Sequence, residues 1–239
     1  MASEDPIVQI EDEPLHKIVF SNDRVRVFSA TIPAGAETLF HRHACNTYFI
    51  AVSGGGYRKQ IYGQEWLDTA LPSRVGFCAN YTTHPEIHRV ISLQNNPEPM
   101  YIVAVEAFPS QPGPEAPAAV TDSAGVSEPR GDILQKSSPL KGAELKGSGW
   151  ERDKNGEWPD IAIHHLTLQP GQSTGKHAIP FHGVWISLTD GDISGSGDGG
   201  PFWSELGKAG ASVYWQRRDD VELSNEGPSN YEAVLLELL

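Results

Sequence analysis

Four of the nine histidines in this 239-residue chain fall between positions 41 and 88. His41 and His43 stand two apart. On a β-strand, residues i and i+2 share a face, so both imidazoles project the same way. Two convergent imidazoles make half of a typical transition-metal site. A third ligand must come from elsewhere in the chain, and His84 and His88 are the candidates. Three protein ligands with open positions is the layout of a catalytic metal site rather than a closed structural one. Glu86, Glu37 and Tyr48 lie close in sequence and are candidates for acid–base work. Arg42, Arg58, Lys59 and Arg89 could pair with a charged group on a bound molecule; surface solvation is their plainer role. The chain has no phosphate-binding glycine loop before a helix and no Gly-x-Ser-x-Gly elbow. The Gly, Ser and Asp-rich stretch 195–200 reads as a hairpin tip rather than a phosphate cradle.

The elements that must position these histidines read as strands. Residues 25–32 are rich in β-branched and aromatic types and run into Pro33-Ala34-Gly35. Residues 47–52 form a second apolar run, closed by Gly54-Gly55-Gly56, and 101–105 form a third. Short strands punctuated by turn residues predict a sandwich or a barrel. No sustained 3.6-residue periodicity competes.

Two further features divide the chain. Residues 109–131 hold five prolines, at 109, 112, 114, 117 and 129, among Ala, Ser and Glu. That is linker composition, and it predicts domains at 1–108 and 132–239. The halves also repeat. Val25-Arg26-Val27 leads to Ile32 and Gly35, and Ile161-Ala162-Ile163 leads to Leu168 and Gly171. Five residues after each glycine comes a histidine, His41 or His177. Asn95 and Asn225 stand late in each half, and each half closes on an apolar strand with a glutamate, Glu106 or Glu237. Duplication of one barrel explains this order and spacing.

At the histidines the sequence resembles the cupin superfamily. The first cupin motif is a glycine, five residues, His-x-His, three or four residues, a glutamate, six residues and a glycine. Here it reads Gly35, five residues, His41-Arg42-His43, three residues, Thr47, six residues, Gly54. The second motif carries the last histidine shortly before an asparagine, and His88 followed by Asn95 looks like it, with His84 as its rival. The resemblance implies an all-β fold of two tandem cupin (jelly-roll) barrels. It also implies one divalent metal per chain on His41, His43 and His88. Thr47 stands where the family has glutamate. Its hydroxyl is a poor metal ligand but suits a water or a substrate, and His84 and Arg89 are the other candidates for substrate contact. Three-histidine centres occur in the superfamily, notably in thiol dioxygenases, so the missing glutamate bears on metal identity more than on metal binding.

The second half reads as a degenerate barrel. His177 matches the first histidine, but Ile179 takes the second position, Pro180 interrupts the strand and Gly183 takes the glutamate position. No histidine stands near Asp219-Asp220, and His182 has the wrong strand parity. His164 and His165 lie on the preceding strand. Five tryptophans, at 150, 158, 185, 203 and 215, are read as core or interface, with an aromatic ligand pocket as the sharper alternative.

The functional expectation is an enzyme acting on a small anionic organic molecule. Iron(II) would favour dioxygenation; zinc, manganese or nickel would favour lyase or isomerase chemistry. A non-catalytic cupin that binds or senses a ligand is the alternative, since fold does not fix function. The net charge of −13 argues against nucleic acid and anionic membranes as partners. No apolar run approaches the ~20 residues of a membrane helix, and the acidic first residues lack a signal-peptide core. Cys45 and Cys78 are too few for a disulfide framework and point to a reducing cytoplasm. A homodimer is compatible with this reading.

Overall fold

The β-branched and aromatic runs form strands, as expected from side chains that fit a pleated, half-buried surface. A computed structural model describes residues 5–108, 134–137, 161–179, 181–197 and 200–238, and no α-helix occurs among them. The chain divides into two compact units, Met1–Phe108 and Pro109–Leu239. The proline-rich segment 109–131, Trp150, Trp158 and Pro180 lie outside the described residues.

Ten strands build the first unit. They are β1 (Ile7–Gln9), β2 (His16–Ser21), β3 (Val25–Ile32), β4 (Phe40–His43), β5 (Thr47–Ser53), β6 (Gly55–Ile61), β7 (Trp66–Leu71), β8 (Val75–Ala79), β9 (Glu86–Ser92) and β10 (Met100–Ala107). Two five-stranded sheets result, in the orders β1-β4-β9-β6-β7 and β2-β3-β10-β5-β8. Every pairing is antiparallel except β1 with β4. Phe28, Ala104 and Phe49 stand opposite one another across β3, β10 and β5 and pack together with Ile10. That packing defines the inward face of this sheet.

The second unit holds β11 (Leu134–Ser137), β12 (Ile161–Leu168), β13 (His177–Ile179), β14 (His182–Ser187), β15 (Ile193–Ser196), β16 (Ser212–Trp215), β17 (Arg218–Asn225) and β18 (Tyr231–Leu238). Its sheets run β11-β12-β18-β14-β16 and β13-β17-β15. Strand for strand, these orders reproduce β2-β3-β10-β5-β8 and β4-β9-β6. A 3-10 turn, Gly200–Gly207, falls where β7 falls in the first unit. The chain is therefore two tandem all-β barrels of one topology.

The repeated glycines do the same work in each barrel. Gly35 has φ +76° and Gly171 φ +71°, the left-handed region that costs a side chain energy. Each is the third residue of a turn closed by a backbone bond, Ala36 N–H to Pro33 O (3.0 Å) and Gln172 N–H to Gln169 O (2.9 Å). Each then donates to a strand across the barrel, Gly35 N–H to Ser92 O and Gly171 N–H to Asn225 O. These bonds align Ser92, not Asn95, with Asn225. Asn95 is exposed. Its neighbour Asn96 is the residue that ties the hairpin, accepting from Gly56 N–H and donating to Gly56 O and Ser92 Oγ. The repeat is real, but Ser92 rather than an asparagine stands at the position of Asn225 in the first barrel.

Candidate metal centre

Two rules of strand geometry bring three histidines together. His41 and His43 share a face of β4, with Arg42 exposed on the other. On the neighbouring β9, His88 lies directly opposite His41, and Glu86 opposite His43. Opposed residues on an antiparallel pair have Cβ atoms roughly 5 Å apart, so an i, i+2 pair and its cross-strand neighbour form a triangle. The ligating atoms of His41, His43 and His88 all lie within 4.8 Å of one another. Their rings are 4.7–5.0 Å apart, centroid to centroid.

All three side chains are buried, His41 and His43 at 1% exposure and His88 at 8%. Burial disfavours the imidazolium. It pushes His41 down to about 4, with the neighbouring His16 adding to the effect. His43 and His88 are held well below the ordinary histidine range, by burial first and by the other imidazoles second. Neutral imidazole is the form that ligates a metal.

Hydrogen bonds then select the tautomer. His41 Nδ1 lies 2.9 Å from Leu39 O, and His88 Nδ1 lies 2.7 Å from a Glu86 carboxylate oxygen. Carbonyl and carboxylate oxygens only accept, so each Nδ1 carries the proton and each Nε2 keeps its lone pair. Such outer partners fix the ring orientation of a metal-ligating histidine and raise its basicity. His43 is stacked between Tyr81 (4.8 Å) and His88 (4.9 Å), and its Nδ1 is buried without a hydrogen-bond partner. An unmade bond there costs about 1–3 kcal/mol. The donor set is three neutral, buried, convergent imidazoles, and it fits a divalent transition metal.

Solved structures place the fold. Matches include AerE from Microcystis aeruginosa (TM-score 0.52, 14% identity, 95% of this chain and 98% of that one). A tryptophan-to-tyrosine variant of oxalate decarboxylase from Bacillus subtilis matches with TM-score 0.52 and 12% identity, over 93% of this chain and 71% of that one. A tryptophan-to-tyrosine mutant of salicylate 1,2-dioxygenase from Pseudoaminobacter salicylatoxidans matches with TM-score 0.51 and 10% identity, over 90% of this chain and 71% of that one. The chain carries the cupin fold. No family model matches it, and no curated protein matches its sequence.

The residues around the triad form two walls. One is aromatic. Tyr81 and Phe49 lie against His43, and Phe77 stacks on Phe49 at 4.9 Å. The other is charged. Glu86 holds His88 and also meets Lys59 Nζ at 2.7 Å and the Tyr81 hydroxyl at 3.4 Å. Burial first, and Glu86 second, push the Tyr81 phenol well above its ordinary range. Tyr81 was not a sequence candidate. It lies in a turn, Tyr81–His84, where sequence periodicity carries no orientation.

Of the other sequence candidates, His84, Tyr48, Arg89, Glu37 and Arg58 are placed away from the triad. His84 is exposed in that turn. Tyr48 is buried, but alternation along β5 puts it on the face opposite Phe49. Thr47 is fully buried on the inward face opposite Glu106, and its hydroxyl donates to Cys45 O at 2.9 Å. Arg89 alternates away from His88. It is paired with Asp5 and Glu37 and lies over the Phe40 and Trp66 rings, which also takes Glu37 away from the site. Arg58 pairs with Asp68. Of the four basic residues near the motifs, Lys59 alone reaches the charged wall.

In the second barrel the described residues at the matching positions are packing residues. His177 pairs with Val221 as His41 pairs with His88, so Val221 holds the third-ligand position, just beyond Asp219-Asp220. Ile179 and Val221 are 2% and 0% exposed and belong to one apolar core with Trp185, Trp203, Trp215 and Tyr231. His164 is bonded to Glu237 at 2.7 Å and stacked on Phe181, while His182 is exposed. Among the described residues, only the first barrel gathers three potential ligands.

Proposed function

We propose that this protein is a metal-dependent cupin enzyme acting on a small anionic organic molecule, with iron(II)-dependent dioxygenation as the favoured reaction. The observation that carries the reading is the preset tautomer of His41 and His88, whose Nδ1 protons are taken by Leu39 O and Glu86. A buried imidazole with its lone pair aimed at two others is arranged for a metal rather than for core packing. A divalent ion held by His41, His43 and His88 would supply Lewis acidity and, as iron(II), redox chemistry with O₂; zinc, manganese or nickel would support lyase or isomerase chemistry instead.

The chain's own residues set what can bind beside that ion. Leu39 and Glu86 orient the imidazoles, and Lys59 balances the Glu86 charge. Tyr81, Phe49 and Phe77 keep water from the His43 side. The three imidazoles contribute no negative charge, and position 47 holds threonine rather than glutamate. The ion would keep its full +2 charge, which favours an anion in the open positions. The two free thiols, Cys45 and Cys78, suit a reducing cytoplasm.

The test is metal analysis of protein purified without added metal, followed by oxygen-uptake assays with small carboxylates and thiols. Iron with substrate-dependent oxygen uptake is the expected result. Zinc, manganese or nickel without uptake redirects the reading to a lyase or isomerase. A protein that takes up none of these metals overturns it. The charge argument has its own check: Thr47→Glu should retain metal and bind small anions more weakly, and unchanged or tighter anion binding would refute it.

A further inference from the structure

A fourth histidine stands at this centre, built in by the same device as His88. His16 lies on β2, the edge strand of the opposite sheet, and its register on β3 sets it opposite Ala30. Its ring centroid is 4.7 Å from that of His41. Its side chain is 8% exposed, and its Nδ1 lies 2.6 Å from a carboxylate oxygen of Glu13.

Glu13 is itself 2% exposed and satisfied on both oxygens. Oε2 accepts from Leu15 N–H at 2.8 Å as well as from His16, and Oε1 accepts from Leu39 N–H at 3.1 Å. The same residue, Leu39, presents its carbonyl to His41 Nδ1. One buried carboxylate therefore fixes His16 directly and His41 through the backbone of a single residue, Leu39. A buried carboxylate is costly unless it is paired and bonded. Here it is aimed at a ring beside the triad. With Nδ1 taken, Nε2 is the nitrogen of His16 left to meet a bound molecule. Yet His16 is not among the three residues whose ligating atoms converge. It sits beside the ligand set, not in it.

We propose that His16 is a substrate-positioning residue: with Nδ1 held by Glu13, its Nε2 accepts a hydrogen bond from a protic group of the molecule bound at the metal. It thereby selects 2-hydroxycarboxylates and similar chelating anions over analogues that lack the O–H. The inference rests on the metal-centre reading above. A site built to bond a hydroxyl discriminates strongly against an analogue without one, because its own buried group is left unpaired.

Full-length protein loaded with cobalt(II) at pH 8 tests this by visible absorption. Glycolate and methoxyacetate offer the metal the same carboxylate and α-oxygen, but only glycolate carries a hydroxyl proton. The wild-type protein should favour glycolate by about tenfold, the size of one buried hydrogen bond. His16→Phe keeps the ring and loses both nitrogens; it should bind one cobalt per chain and lose at least five-sixths of that preference. Glu13→Gln keeps the shape and loses the carboxylate; it should lower the preference severalfold, and it serves if the phenylalanine variant does not fold. An unchanged preference in either folded variant makes His16 a structural strap and overturns the inference while leaving the metal centre intact. Cobalt lost from a folded His16→Phe protein would make His16 a ligand and also overturn it. A wild-type protein that takes no cobalt overturns the metal-centre reading itself.

Discussion

At the scale of single residues, the site depends on which nitrogen of each imidazole is free. Glu86 is only partly buried, yet it serves His88, Lys59 and Tyr81 at once. Glu86→Gln should keep the fold and lower metal affinity by roughly 10–100-fold, the usual effect of losing an outer carboxylate. Competition with a chromogenic chelator would measure it, and unchanged affinity would remove Glu86 from the centre. His88→Ala should abolish metal binding, whereas His84→Ala should not, because His84 is exposed in its turn. Elemental analysis of the two variants decides between them. Sequence spacing left these two histidines as rivals, four residues apart, since neither periodicity nor composition tells a turn from the first residues of a strand. The pairing of β9 with β4 separates them physically, by setting His88 opposite His41.

At the scale of elements, the two glycines of the first motif are required for different reasons, and mutation should separate them. Gly35 and its repeat Gly171 hold left-handed backbone. A Cβ at Gly171 meets nothing within 4 Å, so Gly171→Ala should cost only the backbone term, about 1 kcal/mol. A Cβ at Gly54 would run into the Leu71 carbonyl at the end of β7. Gly54→Ala must shift backbone and should cost clearly more, of the order of 2–3 kcal/mol. Urea denaturation of both variants gives the comparison, and equal costs would contradict it. In the second barrel, Ile179→Ala opens a cavity among tryptophans that cannot collapse freely. A loss of roughly 2–5 kcal/mol is expected on the same assay. A loss below 1 kcal/mol would mean that this core is loosely packed.

At the scale of the whole molecule, the histidine cluster lies in one barrel, and the matching positions of the other, of the same topology, lie in an apolar core. Elemental analysis should find at most one metal per chain, since Ile179 and Val221 occupy the second set of positions. Two metals per chain would refute that division. Acid should also destabilise the metal-free protein. His41 titrates near 4 in the fold, against about 6.5 unfolded. Between those values the unfolded chain binds more protons, so stability falls as pH drops from about 6.5 to 4 and this loss is complete below 4. His41 alone accounts for a loss of the order of 3 kcal/mol, and His43 and His88 shift in the same direction. Urea midpoints from pH 7 to pH 4 would show it, and a flat profile would mean that the imidazoles are solvated. The fold class and the repeat were legible at this scale because strand periodicity, turn glycines and spacing are local signals. The topology of each sheet was not, because sheet order depends on pairings between residues far apart in the chain.

The sequence by itself determined the strands, the duplicated Gly35 and Gly171 turns, and the shared face of His41 and His43, since each follows from the two-residue period or from one residue's φ. It also showed that the second half departs from the histidine pattern of the first, because isoleucine stands at position 179. The tertiary structure decided everything that depends on facing and pairing. It set His88 rather than His84 beside the pair and turned Tyr48, Arg89 and Glu37 away from it. It brought Lys59, Tyr81 and the Glu13–His16 pair in from other strands and turns. A side chain's neighbours across a barrel are chosen by register between strands, and register is a property of the closed sheet that no local run of residues encodes.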